Sequence, residues 1–285
     1  ARGRHGLRTP TGTPIIPRKI ARRRPSHPPK LKARSPVAIY LTGDTHGTYD
    51  MERFEPAAWA ERDWRPTADD YLIVLGDVGC IYHTQAYDLP DLDPRDRQVV
   101  DALTALPWTV LFIDGNHENH DTLLAMDVER WHDGLVNHVS NRLIHLMRGQ
   151  VFEIEGLRIF TMGGAHSPDW LHRTPGLSWW PEEMPSEEDY AEARDNLLEV
   201  GNRIDLVLTH TCPTEVVAEL VGDDFADPDE LTNWLQRLSD KIEFNHWYFG
   251  HFHEDVGPLY DGRFTCLFES IVEIDPNGGD AVELD

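Results

Sequence analysis

The chain has 285 residues, of which 40% are hydrophobic, and this is enough to bury a substantial core in one large domain or two smaller ones. Residues 1–35 contain 11 of the 26 Lys and Arg residues and none of the 50 acidic residues, so residues 36–285 carry a formal net charge of −35. Such an acidic body repels polyanions, which disfavours nucleic acid as its partner. No apolar run in the sequence reaches the ~18 residues that a membrane-spanning helix needs.

Residues 1–35, which include the run "RKIARRRPSHPPKLKARS", are rich in Pro and Arg and show neither a helix period nor a strand period. This composition predicts a disordered arm. Three interpretations of the arm stay open: a basic tether for an acidic partner, nucleic acid among them, a targeting segment, or a stretch that the native protein lacks. Residues 36–285 are predicted to form the folded domain.

From residue 37 onward, short runs of β-branched and aromatic residues alternate with helix-like stretches. The runs predict strands at 37–43, 71–77, 108–115, 158–164, 204–210, 246–251, 263–270 and 272–275. The stretches between them predict helices at 51–62, 95–106, 120–127, 187–200 and 228–239. The fourth helix is expected to begin with a capping box at Ser186 and Asp189. Apolar strands that alternate with helices indicate an α/β architecture whose strands are buried on both faces.

The cysteine pattern bears on the compartment of the protein. The three cysteines, Cys80, Cys212 and Cys266, are odd in number and form no CxxC pair. With no signal peptide in this sequence, they favour reduced thiols in a cytoplasmic protein. A structural zinc site built on thiolates is therefore not expected.

Polar residues follow almost every predicted strand at its carboxyl end, which is where α/β sheets bind their ligands. The candidate metal ligands among them are Asp44, His46, Asp77, Asn116, His210, His251 and His253. Two carboxylates, one amide oxygen and four imidazoles suit Mn, Fe, Zn, Ni or Co, and seven ligands serve two ions if one carboxylate bridges them. A residue such as Asp44 beside a glycine would by itself be an ordinary turn residue, so the prediction depends on the joint pattern.

The Asp-x-His and His-x-His spacings require the chain to curl, because alternate residues of an extended strand face opposite ways. We expect Gly43, Gly47 and Gly250 to permit this curl, since glycine adopts left-handed backbone conformations freely. Both side chains of each pair can then face one site.

Five short motifs occur in a recognisable order: "GDTHG" (43–47), "GD" (76–77), "GNHE" (115–118), a single strand-end His210 and "GHFH" (250–253). Their order resembles the calcineurin-like metallophosphoesterase superfamily, and together with "MRGQVFEI" and "WWPEEMPSEEDY" they are similar to small bacterial and phage phosphoesterases. The resemblance implies a four-layer α/β/β/α sandwich with a dinuclear metal site at the strand ends. It also implies a metal-dependent hydrolase of phosphoric esters, in which a hydroxide that bridges the two ions attacks phosphorus.

The resemblance also implies a role for each motif residue. The first metal would be held by Asp44, His46, Asp77 and His253, and the second by the bridging Asp77 with Asn116, His210 and His251. His117 would not bind metal but would donate a proton to the leaving oxygen or stabilise the transition state. The implied cofactors are two divalent transition-metal ions, with manganese preferred over iron, nickel, zinc or cobalt. Glu118 is a candidate for orienting the ligands, and its alternative role is in a turn.

One motif departs from the pattern of the protein phosphatases in this superfamily. Those enzymes carry Gly-Asp-x-x-Asp-Arg-Gly, whereas here Gly76-Asp77 is followed by Val78, Gly79, Cys80 and Ile81, with no Asp-Arg pair. A monoester dianion benefits most from the missing arginine, so we expect a small phosphorylated substrate that is a phosphodiester or a nucleotide. A phosphomonoesterase that acts on protein or small molecules is the first alternative, and a catalytically silent binding module on the same fold is the second.

The segment 163–190, here called the Trp-rich segment, follows a predicted strand and is expected to cover the site. It contains Trp179 and Trp180, which either stack on a nucleotide base or simply pack against neighbouring residues. Arg148 and Arg173 are the remaining candidates for gripping a phosphate group.

Overall fold

The computed structural model of the chain describes residues 37–54, 66–222, 226–275 and 282–283. Within these ranges the strands are β1 (Ile39–Thr42), β2 (Tyr71–Val74), β3 (Thr109–Phe112), β4 (Glu129–Trp131), β5 (Gly134–Ser140), β6 (Leu143–Leu146), β7 (Gln150–Ile154), β8 (Leu157–Met162), β9 (Arg203–Thr209), β10 (Glu243–Phe249), β11 (Val256–Leu259), β12 (Phe264–Cys266), β13 (Ile271–Glu273) and β14 (Val282–Glu283). The α-helices are α1 (Pro94–Thr104), α2 (His120–Leu124), α3 (Glu187–Glu199), α4 (Thr214–Val221) and α5 (Glu230–Ser239). The predicted arm, residues 1–35, lies outside the described residues.

The strands form two sheets. The first has the order β14-β13-β1-β2-β3-β6-β5-β4, and the second has the order β11-β12-β10-β9-β8-β7. Strands β1, β2, β3 and β6 run parallel at the centre of the first sheet, as do β8, β9, β10 and β12 in the second. The remaining strands pair antiparallel at the edges. Within each sheet the carboxyl ends of the central strands therefore lie along the same edge.

Three apolar layers separate the sheets and the helices, which confirms the predicted α/β/β/α sandwich. Tyr40 of β1 packs with Leu103 of α1 on the outer face of the first sheet. Its neighbour Leu41 points to the opposite face, because successive side chains of a strand alternate, and packs with Leu208 in the core between the sheets. Helices α3, α4 and α5 cover the outer face of the second sheet, with Trp234 of α5 in this third layer.

The helix α3 begins where the sequence predicts. Ser186 Oγ accepts a hydrogen bond from the backbone N–H of Asp189, and the Asp189 carboxylate accepts one from the backbone N–H of Ser186, so the capping box is confirmed. At 13 residues, α3 is the longest of the described helices. In the described part of the chain, no helix has both the length and the apolar character needed to cross a membrane.

Some elements differ from the sequence-based predictions. The sequence did not predict strands β4, β5, β6, β7, β11 and β14. Strand β4 shows why, since three largely exposed residues carry no alternation of apolar and polar side chains. Helix α4 was also missed, because it follows Pro213 and has no side-chain cap to mark its start. The predicted helix 51–62 begins as a 3-10 turn at Glu52–Phe54, and residues 55–62 lie outside the described residues.

Replacing Leu208 tests the core between the two sheets. Leu208 is fully buried, so Leu208→Ala is expected to lower the free energy of unfolding by about 2–5 kcal/mol, through lost burial and the cavity left behind. The matched change Leu198→Ala, at a side chain that is 64% exposed on α3, is expected to lower it by less than about 0.5 kcal/mol. Urea denaturation measures both changes, and equal losses would contradict the place of Leu208 in the central core.

Candidate metal centre

Five strands from both sheets end at one place. These are β1, β2 and β3 of the first sheet and β9 and β10 of the second. The predicted ligands in the loops that follow them are, in chain order, Asp44, His46, Asp77, Asn116, His210, His251 and His253. A direct bond joins the two sheets here, since His210 Nδ1 donates to the carbonyl of Leu75, the residue that follows β2.

The first group consists of the four predicted ligands of one ion, Asp44, His46, Asp77 and His253. Each offers one ligand atom, and these atoms all lie within 4.8 Å of one another. His253 Nε2 lies 3.2 Å from Asp44 Oδ2, and His46 Nε2 lies 3.6 Å from Asp77 Oδ2. Two carboxylate oxygens and two imidazole nitrogens can therefore converge on a single divalent ion.

The second group gathers on the other carboxylate oxygen of Asp77. His210 Nε2 lies 3.3 Å from Asp77 Oδ1 and 3.2 Å from Asn116 Oδ1. The ring of His251 packs edge-on against that of His210, with the ring centroids 5.0 Å apart. Asp77 thus presents one oxygen to each group, which is what a carboxylate that bridges two ions must do.

The hydrogen bonds around the site fit metal ligation. Asp44 Oδ2 is buried without a well-aligned hydrogen-bond partner, a costly arrangement for a carboxylate oxygen and one that a cation would relieve. His46 Nδ1 is hydrogen-bonded to Asp50 Oδ2 at 2.8 Å, and His210 Nδ1 donates to the carbonyl of Leu75 at 2.7 Å. Each bond favours a proton on Nδ1 and leaves the Nε2 lone pair facing the carboxylates, as in metal-binding histidines.

The electrostatics of the site favour positive charge. Burial lowers the pKa of His46, but its hydrogen bonds with Asp77 and Asp50 and the charges of Asp77 and Asp44 outweigh this effect and raise that pKa to about 9. Burial also opposes the ionisation of His210, yet the charge of Asp77 raises its pKa to about 10. Burial and the neighbouring His210 lower the pKa of His251 to about 4. Carboxylates that stabilise extra protons in this way stabilise a metal cation for the same reason.

The backbone curls at the ligand residues themselves. Positive φ angles of 44°, 50°, 69° and 51° occur at His46, Asp77, His251 and His253. Of the three glycines that we expected to supply the curl, Gly47 does so with a φ of 71°, whereas Gly43 and Gly250 do not. Left-handed backbone at non-glycine residues costs on the order of 1–3 kcal/mol each and concentrates at functional sites.

Glycines are instead required where the ligands approach the backbone closely. A Cβ atom at Gly250 would overlap Asp44 Oδ1, and a Cβ atom at Gly115 would overlap Asp77 Oδ1. Gly43 has the same explanation, since a Cβ atom there would overlap the backbone carbonyl of the residue after β12. The absence of side chains at these positions lets two carboxylates pack against the ends of the strands.

His117 lies beside the metal ligands without joining either group. Its Nε2 is 4.0 Å from Asp77 Oδ2, and its backbone N–H donates to Asp77 Oδ1 at 2.8 Å. Burial and the Arg173 guanidinium lower the pKa of His117 against the opposing charge of Asp77. The side chain is 34% exposed, so a bound substrate can reach it.

Glu118 supports the backbone of two loops. Its fully buried carboxylate accepts hydrogen bonds from the backbone N–H groups of Val78, Gly79 and Gly115. Burial and the charge of Asp77 raise its pKa to about 8, although the backbone hydrogen bonds act in the opposite direction. Glu118 therefore joins the loop after β2 to the loop after β3, and it contacts no ligand side chain through the bonds described.

Sequence analysis missed three residues that contact predicted ligands or their hydrogen-bond partners. Asn116 Nδ2 donates to Ser167 Oγ at 3.2 Å, and the buried Glu183 accepts bonds from Ser167 Oγ and N at 2.6 and 2.7 Å. These contacts orient the Asn116 amide, but they join residues 51 positions apart, and no local spacing reveals them. Asp50 could have been found, because it lies four residues after His46 and bonds to its Nδ1.

The tryptophans of the Trp-rich segment have different environments. Trp180 is buried and its Nε1 donates to Asp121 at 3.1 Å, so it packs inside the protein and cannot stack on a base. Trp179 packs against Trp170, with ring centroids 5.5 Å apart. Trp170 is 39% exposed and was not singled out from the sequence.

Of the two arginines considered for phosphate binding, one faces the site. Arg148 donates to the buried Asp114 through Nε and Nη2, at 2.8 and 2.6 Å, and is thereby engaged. Arg173 Nη2 lies 3.1 Å from His117 Nε2, and its Nη1 lies 3.4 Å from His117 Nδ1.

The fold and the site together describe a metal-binding protein of the α/β/β/α class. A sequence model of the calcineurin-like phosphoesterase family matches residues 37–255, which is more than half of the chain. The chain therefore belongs to this family, as the order of its motifs indicates, and it is a metal-dependent hydrolase of phosphoric esters. No curated protein matches the sequence.

Comparison with solved structures finds distant similarities. Phosphopantetheinyl hydrolase (PptH) from Mycobacterium tuberculosis is 16% identical over 81% of this chain and 89% of its own, with a TM-score of 0.41. The protein of unknown function AQ665 from Aquifex aeolicus is 14% identical over 73% of this chain and 88% of its own, with a TM-score of 0.31. At these levels the similarities say nothing about the substrate of this protein.

The change Glu183→Gln tests whether Ser167 and Glu183 orient Asn116. It weakens the charge-assisted bonds to Ser167 and is expected to lower metal affinity by about 10- to 100-fold, the usual effect of losing a group that orients a ligand. The adjacent Glu182 is exposed, so Glu182→Gln is the matched control and should bind metal normally. Metal content after dialysis against graded chelator measures both variants, and equal affinities would contradict the positioning role.

Proposed function

We propose that the protein hydrolyses a phosphodiester or a nucleotide with two divalent transition-metal ions, manganese foremost among them. The observation that carries this proposal is the position of Asp77, whose two carboxylate oxygens face two different groups of ligands. The residues that would hold the first ion are Asp44, His46, Asp77 and His253, and those for the second are Asp77, Asn116, His210 and His251. The charge of −35 on residues 36–285 supports a small substrate over long nucleic acid.

The residues of the chain divide the chemical work among them. Divalent ions, when bound, supply positive charge to the phosphate oxygens and make water a better nucleophile near neutral pH. His117 lies at the exposed side of the ligands, where an imidazole N–H can donate to the oxygen of the leaving group. The bond from His117 N to Asp77 Oδ1 sets the distance between this donor and the ligands.

The turn after Asp77 supports a diester or nucleotide over a phosphoprotein. Counted from Gly76-Asp77, the Asp and Arg of those enzymes would stand at Cys80 and Ile81, and both of these side chains are buried in the apolar layer that covers the first sheet. Neither position can present the arginine that protein phosphatases carry there unless the turn is rebuilt. A phosphate dianion loses more from the absence of that arginine than a diester monoanion does.

Trp170 supports a nucleotide in particular. It is 39% exposed and lies on the same short segment as Arg173, whose guanidinium contacts His117. An exposed indole close to a phosphate site provides a surface on which a base can stack. Arg173 itself favours the alternative of a phosphomonoesterase. An arginine from this segment can replace the phosphate-binding arginine that protein phosphatases carry after the residue equivalent to Asp77.

Hydrolysis of bis-p-nitrophenyl phosphate and of p-nitrophenyl phosphate tests the reaction and its preference. Metal-stripped protein refilled with Mn²⁺ is expected to hydrolyse the diester with the higher kcat/KM, and protein without metal is expected to be inactive. Asp77→Ala should lose both metal and hydrolysis, since it removes the carboxylate shared by the two ligand groups. A preference for the monoester would support the alternative, and no hydrolysis of either ester would count against both.

The change His117→Ala separates metal binding from proton donation. The variant is expected to keep its metal content and to lower kcat by about 10²- to 10⁴-fold, the scale of a lost general acid. His138→Ala, at a partly exposed histidine that contacts Glu129, serves as the control and should keep full activity. An unchanged kcat in the His117 variant, measured at saturating substrate, would rule out its proposed role.

A further inference from the structure

We propose that Arg173 grips the phosphate group of the substrate, and that Asp169 and Ser178 hold its guanidinium in position to do so. Arg173 lies in the Trp-rich segment, outside the five motifs that indicate the family. The inference rests on the proposed function for the presence of a phosphoester, and it holds for a diester and for a monoester alike.

The guanidinium of Arg173 lies across the imidazole of His117. Nη2 is 3.1 Å from His117 Nε2, and Nη1 is 3.4 Å from His117 Nδ1. Both terminal amino groups of Arg173 thus lie within hydrogen-bonding distance of the imidazole ring of His117. His117 Nε2 is itself 4.0 Å from Asp77 Oδ2. The imidazole of His117 therefore lies between the terminal amino groups of Arg173 and the Asp77 carboxylate that both ligand groups share.

Two residues of the Trp-rich segment accept hydrogen bonds from the guanidinium of Arg173. Arg173 Nε donates to Asp169 Oδ1 at 2.6 Å, and Nη1 donates to the carbonyl of Ser178 at 3.3 Å. As a result the side chain is only 13% exposed, although the neighbouring His172 is exposed. Among the described residues, the hydrogen-bonding contact of Nη2 is with His117, and a phosphate oxygen is a much stronger acceptor than an imidazole nitrogen.

Other arginines near the site have different partners. Arg53 Nη2 donates to two backbone carbonyls in the loop after β1, at 3.0 and 2.6 Å. Arg148 forms a close ion pair with the buried Asp114. Of these three arginines in the described part of the chain, Arg173 is thus the one that contacts His117, and it can replace the arginine absent after Asp77. Its planar fork can direct two N–H groups at two oxygens of one phosphate.

Binding of inorganic phosphate to the manganese-loaded protein, measured by calorimetry, tests the inference without requiring turnover. Arg173→Ala is expected to weaken phosphate binding by about 10- to 100-fold, because charge-assisted hydrogen bonds are lost. Guanidinium ion added to this variant is expected to restore part of the affinity, an effect that a purely structural role would not produce. Arg173→Lys keeps the positive charge but lacks the planar fork of N–H groups, so its phosphate affinity should lie between those of the unchanged protein and of Arg173→Ala.

His172→Ala is the matched control, since it changes an exposed neighbour on the same turn, and it should bind phosphate normally. Metal content and thermal unfolding are measured for every variant. If Arg173→Ala loses metal or fails to fold, the phosphate affinity of Arg173→Lys is compared with that of the unchanged protein instead. Phosphate affinity equal to that of the unchanged protein, at equal metal content, would overturn the inference. Failure of the unchanged protein to hydrolyse any phosphoester would instead count against the proposed function, and the phosphate measurement would still decide the role of Arg173.

Discussion

The buried carboxylate of Asp77 is the group on which the rest of the site depends. Asp77 is 1% exposed, and an ionised carboxylate out of water is costly unless positive or hydrogen-bonding groups surround it. Burial would raise the pKa of Asp77, but His210, followed by His46, holds it well below its ordinary value. Because these imidazoles come from different sheets, the stability of the carboxylate requires the ends of β1, β2 and β9 to meet at one point.

Backbone N–H groups of two other loops also donate hydrogen bonds to Asp77. Its carbonyl accepts hydrogen bonds from Thr45 N and His46 N at 3.3 and 2.8 Å, and its carboxylate accepts one from His117 N at 2.8 Å. One residue therefore positions the loops after β1, β2 and β3 relative to each other. These bonds also explain how a left-handed φ of 50° is maintained, since strained backbone persists where surrounding contacts over-determine it.

The scaffold and the candidate ligands are predictable from the sequence because their signals are local. A ligand such as Asp77 follows its strand directly, and a capping box lies within four residues. The contacts that position these ligands are not local: Asn116 meets Ser167 across 51 positions, and Arg173 meets His117 across 56. The role of Gly250 was misjudged for the same reason, since the close approach of a carboxylate from another sheet leaves no trace in the neighbouring residues.

The Trp-rich segment accounts for a feature that the motifs leave unexplained, the lack of an arginine after Asp77. The side chain of Ile81, which stands where that arginine would be, is buried in the apolar layer, so a cation for the phosphate has to come from a different part of the chain. The Trp-rich segment can supply it because Ser167 anchors the segment against Asn116, and Arg173 follows within a few residues. Under the proposed roles of these residues, metal ligation and phosphate binding would depend on each other, since a shift of this one segment would disturb the amide of Asn116 and the guanidinium of Arg173 together. The residues at the strand ends and the proposed phosphate-binding arginine are thus connected by a segment that lies outside the five motifs.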